Sequence, residues 1–228
     1  MHDYHKSIDL KKEQLSSLNR PRYKYSLIAR IFFLSMDIFT GWRVTLAKTK
    51  LIEILASIPY RAWEARHYTR LTRAYSNRKI ITQSRHIIGW SRSAQDNEYW
   101  HLLVINEKMK TDQIRNTWYL FQPVPYLLVA VYYLFASSLA IFSIRRAYLF
   151  NAEFEDHAEH VYAKFVADHP EWENQPVESD LVGEYGTFNS WADVFRRIGL
   201  DERDHRNHSF EFCGKPEEVV HYDGMPCN

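Results

Sequence analysis

The sequence predicts an all-α fold, and three observations carry that expectation. Apolar residues recur at helical spacing through most of the chain, while strand signals are weak throughout. Asn116 to Ile144 carries no charged residue, and Pro125 to Ile144 is highly apolar. Four acids and two histidines recur in a two-part arrangement: Glu53 alone in an apolar run, then Glu98-Tyr-Trp-His101, then Glu155 alone, then Glu202-Arg-Asp-His205. The Glu-to-ExxH separations are 45 and 47 residues, so the chain reads as two helical hairpins, each supplying one Glu and one ExxH pair. That is the ligand arrangement of a carboxylate-bridged two-metal centre in a ferritin-like four-helix bundle.

The elements follow in order. Residues 1–23 read as a polar, mildly basic arm. From Tyr25 to Trp42 the residues Leu27, Ile28, Ile31, Phe32, Phe33, Leu34, Ile38 and Phe39 make an apolar helix interrupted by Asp37. It is short and charged for a span, which favours an amphipathic helix lying in a membrane surface. A helix over about 43–75 carries Glu53, with Pro59 as a kink point. A helix over about 78–112 carries Glu98 and His101. Residues 123–144 could span a bilayer, but a span would separate the first hairpin from Glu155, so a helix lying along the surface is expected. Residues 143–168 carry Glu155 and stop at Pro170. Residues 171–187 read as a loop, and 188 to about 212 as the last helix, with Glu202 and His205. The bundle domain is thus 24–212, with interfacial helices near 25–42 and 123–142 and a tail over 213–228.

Composition narrows the classes. The 228 residues suffice for one domain with a substantial core. A formal charge of +1 and a pI near 7.8 make no case for a nucleic-acid partner. Lys and Arg do cluster in the first 30 residues and over 61–92, which suits a solvated face or an anionic membrane surface. Cys213 and Cys227 match no metal-binding spacing and read as two thiols in a reducing compartment, a tail disulfide being the alternative. Asp3, Asp9 and Glu13 argue against an acid-poor transit peptide.

The residue types point to metal chemistry. Carboxylates with one imidazole per metal suit iron or manganese, whereas structural zinc favours thiolates. Residues three apart share a helix face, so Glu98 with His101, and Glu202 with His205, can each hold one ion. ExxH strings arise about once by chance in a chain of this size, and two further ones occur, Glu64 to His67 and Glu218 to His221. Arg61, Arg66 and Arg70 around the first suggest a solvated or interfacial face, the second sits in a Gly/Pro tail, and both read as structural or incidental. Glu53, by contrast, lies in Leu-Ile-Glu-Ile-Leu-Ala, where an ionised carboxylate is costly unless paired or metal-bound.

At these residues the sequence resembles the alternative oxidase family, closest to its plastid terminal oxidase branch. Leu51 to Tyr60 resembles the family's first ligand helix, including the Pro-Tyr of the plastid branch, although Ile54 stands where Thr is usual. Asn97-Glu98-Tyr99-Trp100-His101-Leu102 resembles its Asn-Glu-x-x-His-Leu segment. Tyr132 to Tyr162, with Glu155-Asp156-His157-Ala158, resembles the Glu-His-His-Ala segment, and Asp201 to His205 resembles Asp-Glu-x-x-His. The resemblance covers about residues 43–210. It implies a di-iron quinol oxidase that reduces dioxygen to water, a homodimer held on one membrane leaflet. It further implies Glu53, Glu98, His101, Glu155, Glu202 and His205 as ligands of two iron ions, Tyr162 as the active-site tyrosine, and Asn97 and Asp201 as residues supporting the ligands. A quinol pocket would involve Lys48, Ile52, Ala158 and Tyr162, Lys48 standing where the family has Arg. Two rival readings remain at this stage: a membrane-bound di-iron hydroxylase of a quinone precursor, and a non-enzymatic membrane protein.

Overall fold

The computed structural model describes residues 8–225. The first seven residues of the expected arm and Cys227 of the tail lie outside that range. Among the described residues there are eight α-helices and no strand: α1 (Leu10–Asn19), α2 (Leu27–Thr40), α3 (Leu46–Arg73), α4 (Arg78–Thr111), α5 (Val124–Phe142), α6 (Ile144–Asp168), α7 (Asp180–Tyr185) and α8 (Trp191–Cys213). They divide into two compact units, one of residues Thr45–Ala147 and one of the chain before Thr45 together with the chain from Tyr148 onward.

The central unit is built on a long antiparallel hairpin. Thr45 caps α3 by accepting the Lys48 N–H at 3.2 Å, and Asn77 caps α4 by accepting that of Ile80 at 3.3 Å. The helical run continues past Pro59 to Arg73. Residues 74–77 link the two helices, too few for anything but an antiparallel return. The pairing is pinned across the hairpin by His67 Nδ1 to Ser84 Oγ at 3.1 Å, by Arg92 Nε donating to Glu64 at 2.7 Å, and by Arg70 donating to Gln83 at 3.1 Å. Of the two readings of the Glu64–His67 face, solvated or interfacial, this is the interfacial one. Arg61 is exposed and Arg66 and Arg70 are partly buried, while position 67 turns toward α4, and the imidazole is buried.

In the same unit α5 lies against α3 and buries Tyr132, Ala136 and Ala140, a one-sided stripe at four-residue spacing. Its other faces expose Tyr126, Leu127, Val131, Leu134, Ile141 and Phe142. By length and composition this is the one helix among the described residues able to cross a membrane.

The other unit is organised by α8, buried along nearly its whole length. Ser190 caps its start, accepting the Asp193 N–H at 3.2 Å. It stops at Gly214, where φ of +80° lets the Lys215 N–H return to the Phe210 carbonyl at 2.9 Å. From Tyr148 onward α6 runs antiparallel to α8, as successive contacts show: Tyr148 with Phe212, Asn151 with Ser209, Asp156 with Arg206, Glu159 with Arg203, and Tyr162 with Phe195. Gly199 permits the close approach, since a methyl there would meet Tyr162 Cβ at 3.3 Å.

The segment read as a polar arm contains α1, and burial of charge explains why it is ordered. Arg203 donates to Glu159 at 2.8 Å, to the Glu13 carbonyl and Ser17 Oγ at 2.9 Å, and to the Glu13 carboxylate. Arg20 also reaches Glu159, and Gln14 donates to the Ala163 carbonyl at 3.0 Å. The polar residues of α1 are thus partners for buried charges on α6 and α8. Likewise Arg206 ties Asp156 at 2.8 Å to the Glu218 carbonyl at 2.8 Å, and Asn207 exchanges two 2.9 Å bonds with the Val220 backbone, which docks the tail. On α2, Ser26 bonds Glu153 from both backbone and hydroxyl, while Phe32 and Phe33 pack on Phe150, Phe154 and His157. The stretch read as a loop contains a 3-10 turn over Pro170–Asn174 and α7.

Burial works against a charged Glu159. The guanidinium groups of Arg203 and Arg20, with hydrogen bonds from Arg20 and Ser17, outweigh it and hold the carboxyl down at about 2. Because the folded value lies below the unfolded one, this contribution to stability is complete above the ordinary value of 4.5 and is lost as pH falls toward 2. Glu159→Gln leaves buried guanidinium charge uncompensated, so chemical denaturation at pH 7 should show a loss of about 3–5 kcal/mol. The variant should also lose less stability than the parent on acidification.

Candidate metal centre

Each of the two units buries a carboxylate-rich triad. In the central unit Glu53 on α3 and Glu98 with His101 on α4 are all buried. His101 Nδ1 lies 3.5 Å from Glu53 Oε2 and 3.5 Å from Glu98 Oε2. The hairpin register explains the meeting. Glu53 is 14 residues back along α3 from His67, and Glu98 is 14 residues on from Ser84. Fourteen residues are close to four helical turns, so the His67–Ser84 contact and the Glu53–Glu98 contact lie on one seam.

In the other unit Glu155 on α6 and Glu202 with His205 on α8 are buried, and His205 Nδ1 lies 3.6 Å from Glu202 Oε2. Here the ion pairs supply the register. Asp156 follows Glu155, Arg203 follows Glu202 and Arg206 follows His205. Asp156, Arg203 and Arg206 thus each stand about a quarter of a turn round the helix from one of the three, so the bonds Arg203–Glu159 and Arg206–Asp156 fix the α6–α8 register beside them.

Each triad offers ligand atoms within 4.8 Å of one another. Ligand atoms about 2.1 Å from one ion and at right angles sit roughly 3 Å apart. The separations of 3.5 and 3.6 Å between imidazole and carboxylate are near that value. Two carboxylates with one imidazole form a hard, oxygen-rich donor set. The buried Glu and His groups could therefore hold metal. A further cluster, Asp156, Glu159 and His160, is as compact but differs in charge. Its acids are neutralised by Arg20, Arg203 and Arg206 and bonded by Ser17, Tyr23 and Tyr25, so it is an ion-pair core rather than a metal site.

The other expected residues are distributed as follows. Tyr162 is buried on α6, two turns beyond Glu155, with its ring 6.2 Å from that of Phe195. Ala158 is buried on α6 between them. Lys48 is buried and Ile52 half-buried in the first two turns of α3, so these two belong to one unit and Ala158 and Tyr162 to the other. Asn97 is half-buried beside Glu98. Asp201 accepts from the Tyr185 hydroxyl and from Arg197, which also lies 3.5 Å from Asp204. Reasoning from residues missed Asn151, fully buried, whose Nδ2 donates to Glu155 Oε1 at 3.0 Å. Its position four before a ligand was the available signal.

No family model matches the chain, and no curated protein matches it.

Burial, helped by the charges of Arg70 and Arg66, pushes His67 down to about 4 from its ordinary 6.5. The folded value lies below the unfolded one, so the stability it supports is whole above pH 6.5 and is lost as pH falls through 4. His67→Leu should therefore flatten the pH dependence of the melting temperature between 6.5 and 4. An unchanged slope would remove His67 as the acid-sensitive pin of the hairpin.

Proposed function

We propose that the chain is a membrane-associated quinol:oxygen oxidoreductase that holds two iron ions, one at each triad. The observation that carries this reading is that each unit buries its own Glu, Glu and His with ligand atoms within 4.8 Å, in a matching order along the chain. Burying so many acids without metal would be costly, and two iron ions would offset their charge. The motif resemblance to alternative oxidases supplies the reaction: two quinols lose four electrons and four protons, and one dioxygen takes them up to give two waters.

Glu53, Glu98 and His101 would hold one ion, and Glu155, Glu202 and His205 the other. When bound, such a pair supplies the electrons and the open coordination positions that dioxygen reduction needs. The protein does the rest. Tyr162 shares the helix face of Glu155 at a spacing of seven and is buried, and from there its phenol would deliver a proton and an electron. Asp201 is held by Tyr185 and Arg197 and fixes the start of the Glu202–His205 turn. Asn97 does the corresponding service beside Glu98. The resemblance points to Lys48, Ile52, Ala158 and Tyr162 for the quinol; Lys48 is buried in the central unit, and its ammonium would bond a quinol oxygen.

Quinols reside in the bilayer, and the exposed apolar side chains of α2 and α5 suit contact with it. Both helices would lie along one leaflet, and the protein would act as a homodimer. A lone apolar helix such as α5 also fits a span, so protease accessibility on both sides of a sealed vesicle decides between them.

Purified protein should carry about two iron ions per chain and consume oxygen with a reduced quinol, insensitive to cyanide, with water and quinone as products. Iron-loaded protein with no oxygen uptake, or full activity in Glu155→Ala, would overturn the reading, and a hydroxylated ring product would redirect it to a hydroxylase. Tyr162→Phe should retain its iron and lose kcat by about 100-fold or more, the scale of one positioned proton-transfer group.

A further inference from the structure

Asn151 lies one turn before Glu155 on α6 and is wholly buried. Its Nδ2 donates to Glu155 Oε1 at 3.0 Å and to Ser209 Oγ at 3.2 Å. An amide nitrogen carries two hydrogens, and these two bonds account for both. Ser209 is seven residues beyond Glu202, on the same face of α8, so the Asn151 amide is tied to the helix that carries the other two residues of this triad.

The equivalent place in the central unit, four residues before Glu53, is taken by Thr49. Its hydroxyl is also buried but donates to the Leu46 carbonyl at 3.0 Å, within its own helix. The two halves match in their acids and histidines but differ at this supporting position.

We propose that Asn151 is a positioning residue for Glu155: it engages Oε1, anchors that oxygen to α8 through Ser209, and so presents Oε2 as the oxygen for metal. The inference rests on Glu155 being a ligand. A carboxylate whose rotation is fixed by an amide donor binds an ion without first ordering itself, and loss of such outer contacts typically weakens metal binding about 10- to 100-fold. Because Thr49 gives its hydroxyl to its own helix, the effect falls on one of the two ions.

Anaerobic titration of the full-length, detergent-solubilised protein with cobalt(II) tests this, read by visible absorption and by the number of ions bound. The parent should bind two ions. Asn151→Leu should bind one of them about 10- to 100-fold more weakly with the other unchanged. Its residual cobalt absorption should shift as Glu155 becomes able to use both oxygens. Ser209→Ala, which keeps the bond to Glu155 and removes its anchor, should move the same step by a smaller factor, and it decides the matter if Asn151→Leu does not fold. A parent that binds two ions and variants that bind them identically, with unshifted absorption, overturn the role of Asn151 alone. A parent that binds no ion overturns the metal reading of Glu155, and this inference with it.

Discussion

Two buried ion pairs, Arg203 with Glu159 and Arg206 with Asp156, govern the unit that contains α6 and α8. A buried carboxylate or guanidinium is costly unless its partner is held in good geometry and its remaining polar atoms are satisfied. That requirement reaches far along the chain. Arg203 recruits Glu13 and Ser17 of α1, Arg20 adds a second cation to Glu159, and Arg206 and Asn207 capture the backbone around residues 218–220. Sliding α8 against α6 by one residue would leave these charges mismatched. The register is thereby fixed for the neighbours Glu155, Glu202 and His205.

The central unit solves the same problem with neutral chemistry. The α3–α4 register rests on His67 against Ser84, a pair that needs no charge because burial keeps the imidazole unprotonated. Outside it, Arg92 and Glu64 add a bond that solvent screens, worth about 1 kcal/mol or less. One consequence is a difference in acid response. Protonating His67 disturbs the hairpin at a milder pH than that at which Glu159 gives up its charge.

Buried acids here therefore fall into two kinds, distinguished by their neighbours. Asp156 and Glu159 sit among guanidinium groups and serve the fold. Glu53, Glu98 and Glu202 sit beside imidazoles at separations too long for ordinary hydrogen bonds and near those of shared ligands. The distinction matters because Asp156 and Glu155 are adjacent in the chain, and only the direction each faces separates a structural acid from a functional one.

Much of this was legible in the residues themselves. Helical periodicity, a Glu in an apolar run, and Glu and His three apart on one face follow from local geometry, so the all-helical class and the burial of Glu53 could be reasoned from sequence. What could not be read was long-range pairing. The polar composition of residues 10–19 reads as an arm, because nothing local reveals that Glu13, Gln14 and Ser17 will meet Arg203, Ala163 and Arg196. His67 among arginines reads as solvated or interfacial, because which of the two it is depends on the hairpin register. Asn151 stands four before Glu155, but its tie to α8 through Ser209 is not local. The sequence by itself determined which residue types are spaced to share a helix face. Tertiary structure alone decided which acids meet arginine across helices and that Glu53 meets His101, because the cost of burying a charge is settled also by partners up to 190 residues away.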